Sequence, residues 1–398
     1  MKKVKIVAIT FALALVLISV AAPPVAAASR YDSLTSYMAE NYDAVRGGYK
    51  LPFDGVTRVN PTYGALSIMD EVGILAQRPP PISVTNALEF TSNIQWLTGD
   101  EDEEINFGGF SEYLLGPVTA ATNYHGLRLW QILKNEGGIP GTDEYDINQT
   151  ANAFWINKTS DSGGFGIAND AYPDLVSTYY ALASLRIIDQ MFPLEDAWDT
   201  YVNESATIEW IESCRDGDVY MLSPVSDGRS VTATAAAVLA YYAINPVTLV
   251  PGASSIQTWL LNRQILEYPE PEFIGGFEEG NATNEPNLVS TYFALSALDT
   301  LNAIPSINAT AAESFILNSQ SSEGSWGLVP GVSKGSLLYS AYACQALNML
   351  PFEGALSILS SSVDPNTQGA SSFDWRIAVV LGIIVIAVVV SVYALRMD

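Results

Sequence analysis

Five carboxylates, Asp54, Asp170, Asp174, Asp227 and Glu278, fall in loops or at the first turn of an apolar helix. A hydrolase or lyase needs two such groups facing one cavity, one of them held protonated. Asp174 also reads as a favourable acid at a helix start. The single histidine, His125, follows Tyr124 on an apolar stretch and reads either as a general base or as a packed, hydrogen-bonded core residue. The acidic string at 100–104 offers oxygen ligands suited to calcium, with Asp100, Asp102 and Glu104 foremost. It reads equally as a solvated charge run. Tyr63, Tyr124, Tyr179, Tyr292 and Tyr339 recur on successive apolar segments, where they either line a ligand-binding cavity or fill a core.

These residues are carried by a repeat. Gly47-Gly48-Tyr49, Gly108-Gly109-Phe110, Gly163-Gly164-Phe165 and Gly275-Gly276-Phe277 share one pattern, with degenerate copies at Gly217-Asp218-Val219 and Gly324-Ser325-Trp326. The intervals between the first glycines are 61, 55, 54, 58 and 49 residues, which defines six units. Each unit reads as a helix, the glycines, a loop, then a more apolar helix beginning near Pro61, Pro117, Pro173, Arg229, Pro286 or Lys334. Proline is expected at the first helical position, where its missing N–H costs nothing. The segment with Val176, Tyr179, Leu182, Ala183 and Leu185 is apolar or small almost all round, so the second helices are predicted to be buried and the first to form an outer layer. Twelve helices in six hairpins predict an all-α ring, because closure buries both ends of the stack; an open solenoid is the alternative.

The run Gly163-Gly164-Phe165-Gly166 followed by Pro173-Asp174-Leu175-Val176-Ser177-Thr178-Tyr179-Tyr180 resembles a repeat of the prenyltransferase β-subunit and squalene cyclase superfamily. Gly275-Gly276-Phe277 with Pro286-Asn287-Leu288-Val289-Ser290-Thr291-Tyr292-Phe293 is a second good copy. The resemblance implies an α/α toroid with a central cavity, which accepts isoprenoid chains in the enzymes. It also implies a zinc held by an Asp-x-Cys pair and a histidine one repeat later. Asp174 matches the Asp, but Val176 stands in place of the Cys, Asn287 and Val289 replace both in the later copy, and His125 lies upstream. Zinc is therefore not expected, and no other cofactor is expected. No basic residue stands between the glycines and Asp174 or Asn287 where the family binds diphosphate, and the cyclases' Asp-x-Asp-Asp and the thioester relatives' Cys-Gly-Glu-Gln are missing.

The ends set the topology. Lys2, Lys3 and Lys5 precede an apolar run and Ala26-Ala27-Ala28, an export signal over residues 1–28. Residues 377–395 carry no charge and are flanked by Trp375, Arg376 and Arg396, as a single membrane-spanning helix would be. The expected order is leader, toroid at 29–359, linker at 360–376, span at 377–395 and a cytoplasmic tail at 396–398. This places the toroid outside the cell, anchored in its membrane, away from cytosolic prenyl transfer. Sequons at Asn148, Asn157, Asn203, Asn281 and Asn308 fit that glycoprotein layout. Cys214 and Cys344 read either as one disulfide or as two buried thiols. With 43 acidic against 18 basic residues and a net charge of -25, nucleic acid is excluded as a partner. The expected function is a non-catalytic, membrane-anchored ligand-binding or surface-structural module, with an apolar small molecule or a surface protein as its partner. The alternatives are an isoprenoid enzyme of the prenyltransferase or terpenoid cyclase kind and a carbohydrate-active enzyme using a carboxylate pair.

Overall fold

The computed structural model describes residues 27–75, 82–99, 104–135, 146–192, 196–247, 250–280 and 285–367. Residues 30–361 form one compact unit. It holds six hairpins in chain order: α1 (Arg30–Asn41) with α2 (Val59–Glu71), α3 (Val84–Asn93) with α4 (Ala120–Asn135), and α5 (Gln149–Lys158) with α6 (Leu175–Met191). After a short α7 (Ala197–Tyr201) come α8 (Glu204–Ser213) with α9 (Val231–Ile244), α10 (Ala253–Leu261) with α11 (Leu288–Thr300), and α12 (Ala309–Asn318) with α13 (Leu337–Met349). A last short helix, α14 (Ala355–Ser361), follows. In the other unit, Ser29 bridges Val363 antiparallel, and the Asp364 N–H donates to the Ala28 carbonyl. The expected membrane span, and all but the last two residues of the expected leader, lie outside the described residues. Among the described residues no helix is long and apolar enough to cross a membrane.

The second helices pack in the order α2, α4, α6, α9, α11, α13, and α13 packs back on α2. The ring is closed, and each inner helix has an inner neighbour on both sides. This is why their sequences lack a broad polar face: in α9, Ala233, Ala235, Ala236, Ala237 and Ala240 are all fully buried. At the α13–α2 seam the backbones come close, since a Cβ on Gly64 would lie 2.3 Å from the Leu337 carbonyl oxygen.

The glycine-aromatic punctuation turns the chain from outer to inner helix. In all six repeats an aromatic, in the fourth Tyr220 just after Val219, donates its N–H to a polar side chain at the fourth residue of the inner helix. Tyr49, Phe110, Phe165, Tyr220, Phe277 and Trp326 donate to Thr62, Asn123, Thr178, Thr234, Thr291 and Ser340, at 2.8 to 3.2 Å. A buried N–H left unpaired would cost about 1–3 kcal/mol, so the hydroxyls and the one amide fix each loop on its helix. The first glycine takes a positive φ in every repeat and, in all but the fourth, lies against the next outer helix: at Gly163 φ is 93° and a Cβ would lie 2.4 Å from the Ala206 carbonyl oxygen. Only glycine fits both constraints.

The outer layer is joined by a side chain that reaches from the end of one outer helix to the start of the next. The Gln95 amide donates to the Asn148 carbonyl, Gln264 to that of Asn308, and Arg215 to that of Pro251. The Tyr42 hydroxyl accepts from the Ser83 N–H. Gln320 donates to the Arg30 carbonyl and accepts from the Arg30 guanidinium, closing the outer circle from the last repeat to the first.

The prolines sit elsewhere than at the first helical position. Pro173 and Pro286 precede the capping residues Asp174 and Asn287 and pair antiparallel with Gly166 and Glu278, whereas Pro61 is the third residue of α2. The short ladder holds the chain extended before the cap, a conformation that proline's fixed φ suits. Three sequon asparagines, Asn148, Asn203 and Asn308, have structural work of their own. Their side chains cap α5, α8 and α12 by accepting from the N–H groups of Ala151, Ala206 and Ala311.

Candidate functional site

Counting from the residue before each inner helix, the fifth positions are Tyr63, Tyr124, Tyr179, Ala235, Tyr292 and Ala341. The sixth are Gly64, His125, Tyr180, Ala236, Phe293 and Tyr342. Neighbouring helical residues are about 100° apart, so both positions turn toward the middle of a ring of parallel helices. The aromatic ones meet there. Tyr63 stacks on His125 with centroids 4.4 Å apart, and Tyr124 packs on Tyr180 at 5.1 Å. Tyr179 packs on Tyr180 at 5.3 Å and meets Phe293 edge-on at 6.4 Å. Tyr292 stacks on Tyr342 at 4.4 Å. The hydroxyls of Tyr180 and Tyr342, from helices third and sixth around the ring, lie 3.4 Å apart. The rings therefore contact one another across the centre instead of lining an open channel.

Four of the five tyrosines singled out by sequence, Tyr63, Tyr124, Tyr179 and Tyr292, belong to this cluster. Tyr339 does not; it is the third residue of α13, where its N–H donates to the Ser336 hydroxyl. The α13 ring in the cluster is Tyr342, missed together with Tyr180 and Phe293 because the tyrosines were followed one helix at a time. A fixed count from each cap finds all of them. Burial holds the phenols of Tyr124, Tyr179, Tyr180, Tyr292 and Tyr342 far above their usual range, so they stay protonated hydrogen-bond donors.

His125 is 2 % exposed. Burial pushes its pKa down to about 3, which keeps the imidazole neutral, and its Nδ1–H donates to Asn60 Oδ1 at 2.6 Å. Sequence reasoning overlooked Glu112, two residues past Phe110. Its carboxyl is pushed up to about 7 by burial, against the opposing pull of the Arg58 guanidinium and the Asn60 N–H, and its Oε2 is buried without a partner. The signal was its register with Glu279, two residues past Phe277, which accepts from the Ser230 and Thr232 hydroxyls and the Thr232 N–H at the start of α9.

The five candidate carboxylates have separate tasks. Asp54 pairs with Arg58 in an exposed loop, and Glu278 is buried and pairs with Arg263 at 2.7 Å. Asp170 is exposed at a φ of 60°, and Asp227 is exposed. Asp174 caps α6, its Oδ1 accepting from the Ser177 N–H at 2.8 Å and its Oδ2 from the Ser177 hydroxyl at 2.6 Å. With both oxygens engaged, Val176 beside it and His125 stacked among tyrosines, these residues do not fit a zinc site of the enzymatic kind. Among the described residues no cluster of three His, Cys, Asp or Glu could hold a metal. Of the acidic string, Asp100 and Asp102 lie outside the described residues, while Glu104 accepts from the Asn106 N–H. Cys214 and Cys344 are unbonded and buried, which pushes each thiol up to about 12.

A cavity of about 690 Å³ lies toward the C-terminal ends of the inner helices, floored by Tyr124 and Tyr179 and walled by α4, α6, α9 and the end of α11. Two of the five tyrosines picked out in the sequence thus line it, while the five candidate carboxylates stand before the inner helices, at their opposite ends.

The family model described as "Prenyltransferase alpha-alpha toroid domain" matches residues 118–267 and 193–366, together more than half of the chain. Among solved structures, a protein geranylgeranyltransferase-I from Candida albicans in complex with GGPP is 16% identical. That likeness covers 78% of this chain and 87% of the other, with a TM-score of 0.57. A variant of the type II terpene cyclase MstE from Scytonema, in complex with geranylgeranyl dihydroxybenzoate, is 12% identical over 83% of this chain and 97% of the other, with a TM-score of 0.50. At such identities the likeness concerns the fold alone. No curated protein sequence matches.

Proposed function

The chain belongs to the prenyltransferase α/α toroid domain family, and from that premise we propose that it is a binding toroid without prenyl-transfer or cyclase activity, displayed on the outer face of a cell membrane. The observation that carries this reading is the contact between Tyr180 and Tyr342 across the ring. Polyprenyl compounds are bound by the geranylgeranyltransferase and the cyclase compared above; here phenols from opposite helices hold the middle of the ring. A chain of that length would have to separate stacked, buried aromatics, each of which contributes much of the core's apolar burial. The engaged oxygens of Asp174 and the stacked, neutral His125 support the same reading, since neither is poised for acid–base work. Recognition is thereby left to the cavity at the helix C-termini and to the outer surface. The membrane-anchored, outward-facing placement rests on the charge and apolar patterns of residues 1–28 and 377–395.

The test is incubation of the purified protein with geranylgeranyl diphosphate and Mg²⁺, followed by product analysis and native mass spectrometry. Unchanged substrate and no retained isoprenoid are expected. A cyclised, hydrolysed or transferred product, or a stoichiometric isoprenoid adduct, would overturn the reading.

A further inference from the structure

The cavity beyond the tyrosine floor carries two guanidiniums, and they differ in what they do. Arg186 is fully engaged: its Nε and Nη2 donate to the carbonyls of Ala243 and Ile244 at 2.7 and 2.6 Å, capping the C-terminus of α9. It also lies 3.3 Å over the Trp198 ring and 3.8 Å from Asp189. Arg128 is half-buried in the cavity wall and, among the described residues, makes one hydrogen bond, to the side chain of Gln131. Among the described residues no carboxylate lies within ion-pair distance of it. In a chain with 43 acids against 18 bases, a half-buried arginine with no carboxylate at ion-pair distance among the described residues stands out, because neutralising partners are abundant.

A guanidinium has five N–H donors in a planar fork that matches a carboxylate or phosphate edge with two parallel bonds. One donor of Arg128 is used, and the side chain lines a space shared with Tyr124, Tyr179, Leu239 and Tyr242, and with Asp189, which Arg186 faces at 3.8 Å. Those rings and the leucine offer flat apolar surface next to the charge. A volume of about 690 Å³ falls within the range of small-molecule sites. Burial by itself would weaken the arginine's charge, but its surroundings, the Asp70 carboxylate among them, act the other way and prevail.

We propose that this cavity is a binding site for a small organic oxyanion, a carboxylate or phosphate monoester on a flat apolar body, with Arg128 gripping the anion and the tyrosines packing against the body. The inference deepens the binding reading above and rests on it for the idea that the toroid's role is recognition. Its outcome is nonetheless read separately, because an isoprenoid turned over by the protein would end that reading without touching the titration below.

The experiment is calorimetric titration of the full chain with 2-naphthoate, with 1-naphthyl phosphate and with neutral 2-naphthol, repeated for Arg128→Gln and Arg128→Lys. Thermal unfolding serves as the folding control. At least one anion is expected to bind tenfold or more tightly than naphthol, and to weaken as salt is raised. Arg128→Gln is expected to abolish that preference while leaving naphthol unchanged, and Arg128→Lys to keep part of it, since an ammonium retains the charge without the fork. Binding of neither anion by folded protein, equal affinity for naphthol, or an undiminished preference in folded Arg128→Gln would each overturn the proposal.

Discussion

Tyr180 and Tyr342 stand on inner helices opposite each other and meet hydroxyl to hydroxyl at 3.4 Å. Each also packs on further rings, Tyr180 on Tyr124 and Tyr179, and Tyr342 on Tyr292, so the pair is the crossbar of a continuous aromatic layer. Truncating Tyr342 to Ala should leave a void and lower stability by about 3–5 kcal/mol in urea unfolding. Tyr342→Phe removes only the hydroxyl and should cost about 1 kcal/mol. Tyr342→Ala should also let the ring take up farnesol, which the parent protein should not retain. A truncation costing no more than the phenylalanine variant would mean that the layer is loosely packed.

Stability should respond to pH through two buried groups of opposite sign. His125 has a folded pKa of about 3, below the ordinary value of 6.5. Its contribution is complete above pH 6.5 and is lost as pH falls toward 3, with a limiting slope of about 1.4 kcal/mol per pH unit. Glu112, raised to about 7 from 4.5, contributes stability that is complete below pH 4.5 and lost as pH rises through 7. Between pH 4.5 and 6.5 the two slopes oppose each other. His125→Gln should therefore unmask a stability that falls with rising pH in that window, and Glu112→Gln one that rises. Denaturant midpoints measured from pH 4 to 8 would show it, and identical profiles for both variants and the parent would discount both shifts.

Gly163 and Gly331 separate backbone strain from crowding. Both have positive φ, 93° and 80°, but a Cβ at Gly163 would meet the Ala206 carbonyl, whereas nothing lies within 4 Å of one at Gly331. Gly331→Ala should cost about 1–2 kcal/mol, the left-handed penalty alone. Gly163→Ala should cost more, because α8 must also move away. Thermal unfolding of the two variants decides it, and equal losses would show that the close approach contributes nothing.

Asp174 is expected to be a cap and nothing else. Asp174→Ala should cost about 1 kcal/mol through the lost bond to the Ser177 N–H. Asp174→Asn should be nearly neutral, since Asn287 caps α11 in the same way. Neither variant should alter naphthoate or naphthyl phosphate binding, and a loss of binding with unchanged stability would show that Asp174 does more than cap α6.

Much of the architecture was legible in the chain because it is repeated. The recurrent Gly-Gly-aromatic pattern and the nearly all-apolar second helices fix six hairpins, an inner and an outer layer, and the superfamily resemblance. These follow from local geometry, a glycine turn and a buried helix, that every copy must satisfy. The seams were less legible: the bond from Gln320 to Arg30 joins residues 290 apart, and no local pattern announces it.

At the site, the sequence by itself determined which residues are available: tyrosines on successive inner helices, one histidine, and no zinc-binding cysteine beside Asp174. Tertiary structure alone decided what they face. Whether Tyr180 reaches Tyr342 depends on the rotation of each helix and the radius of the closed ring, quantities set by the packing of all six inner helices together. The same packing engages Arg186 in capping α9 and leaves Arg128 with no carboxylate at ion-pair distance among the described residues. It also places the cavity at the C-terminal ends of the helices, where the apolar periodicity of any one helix gave no sign of it.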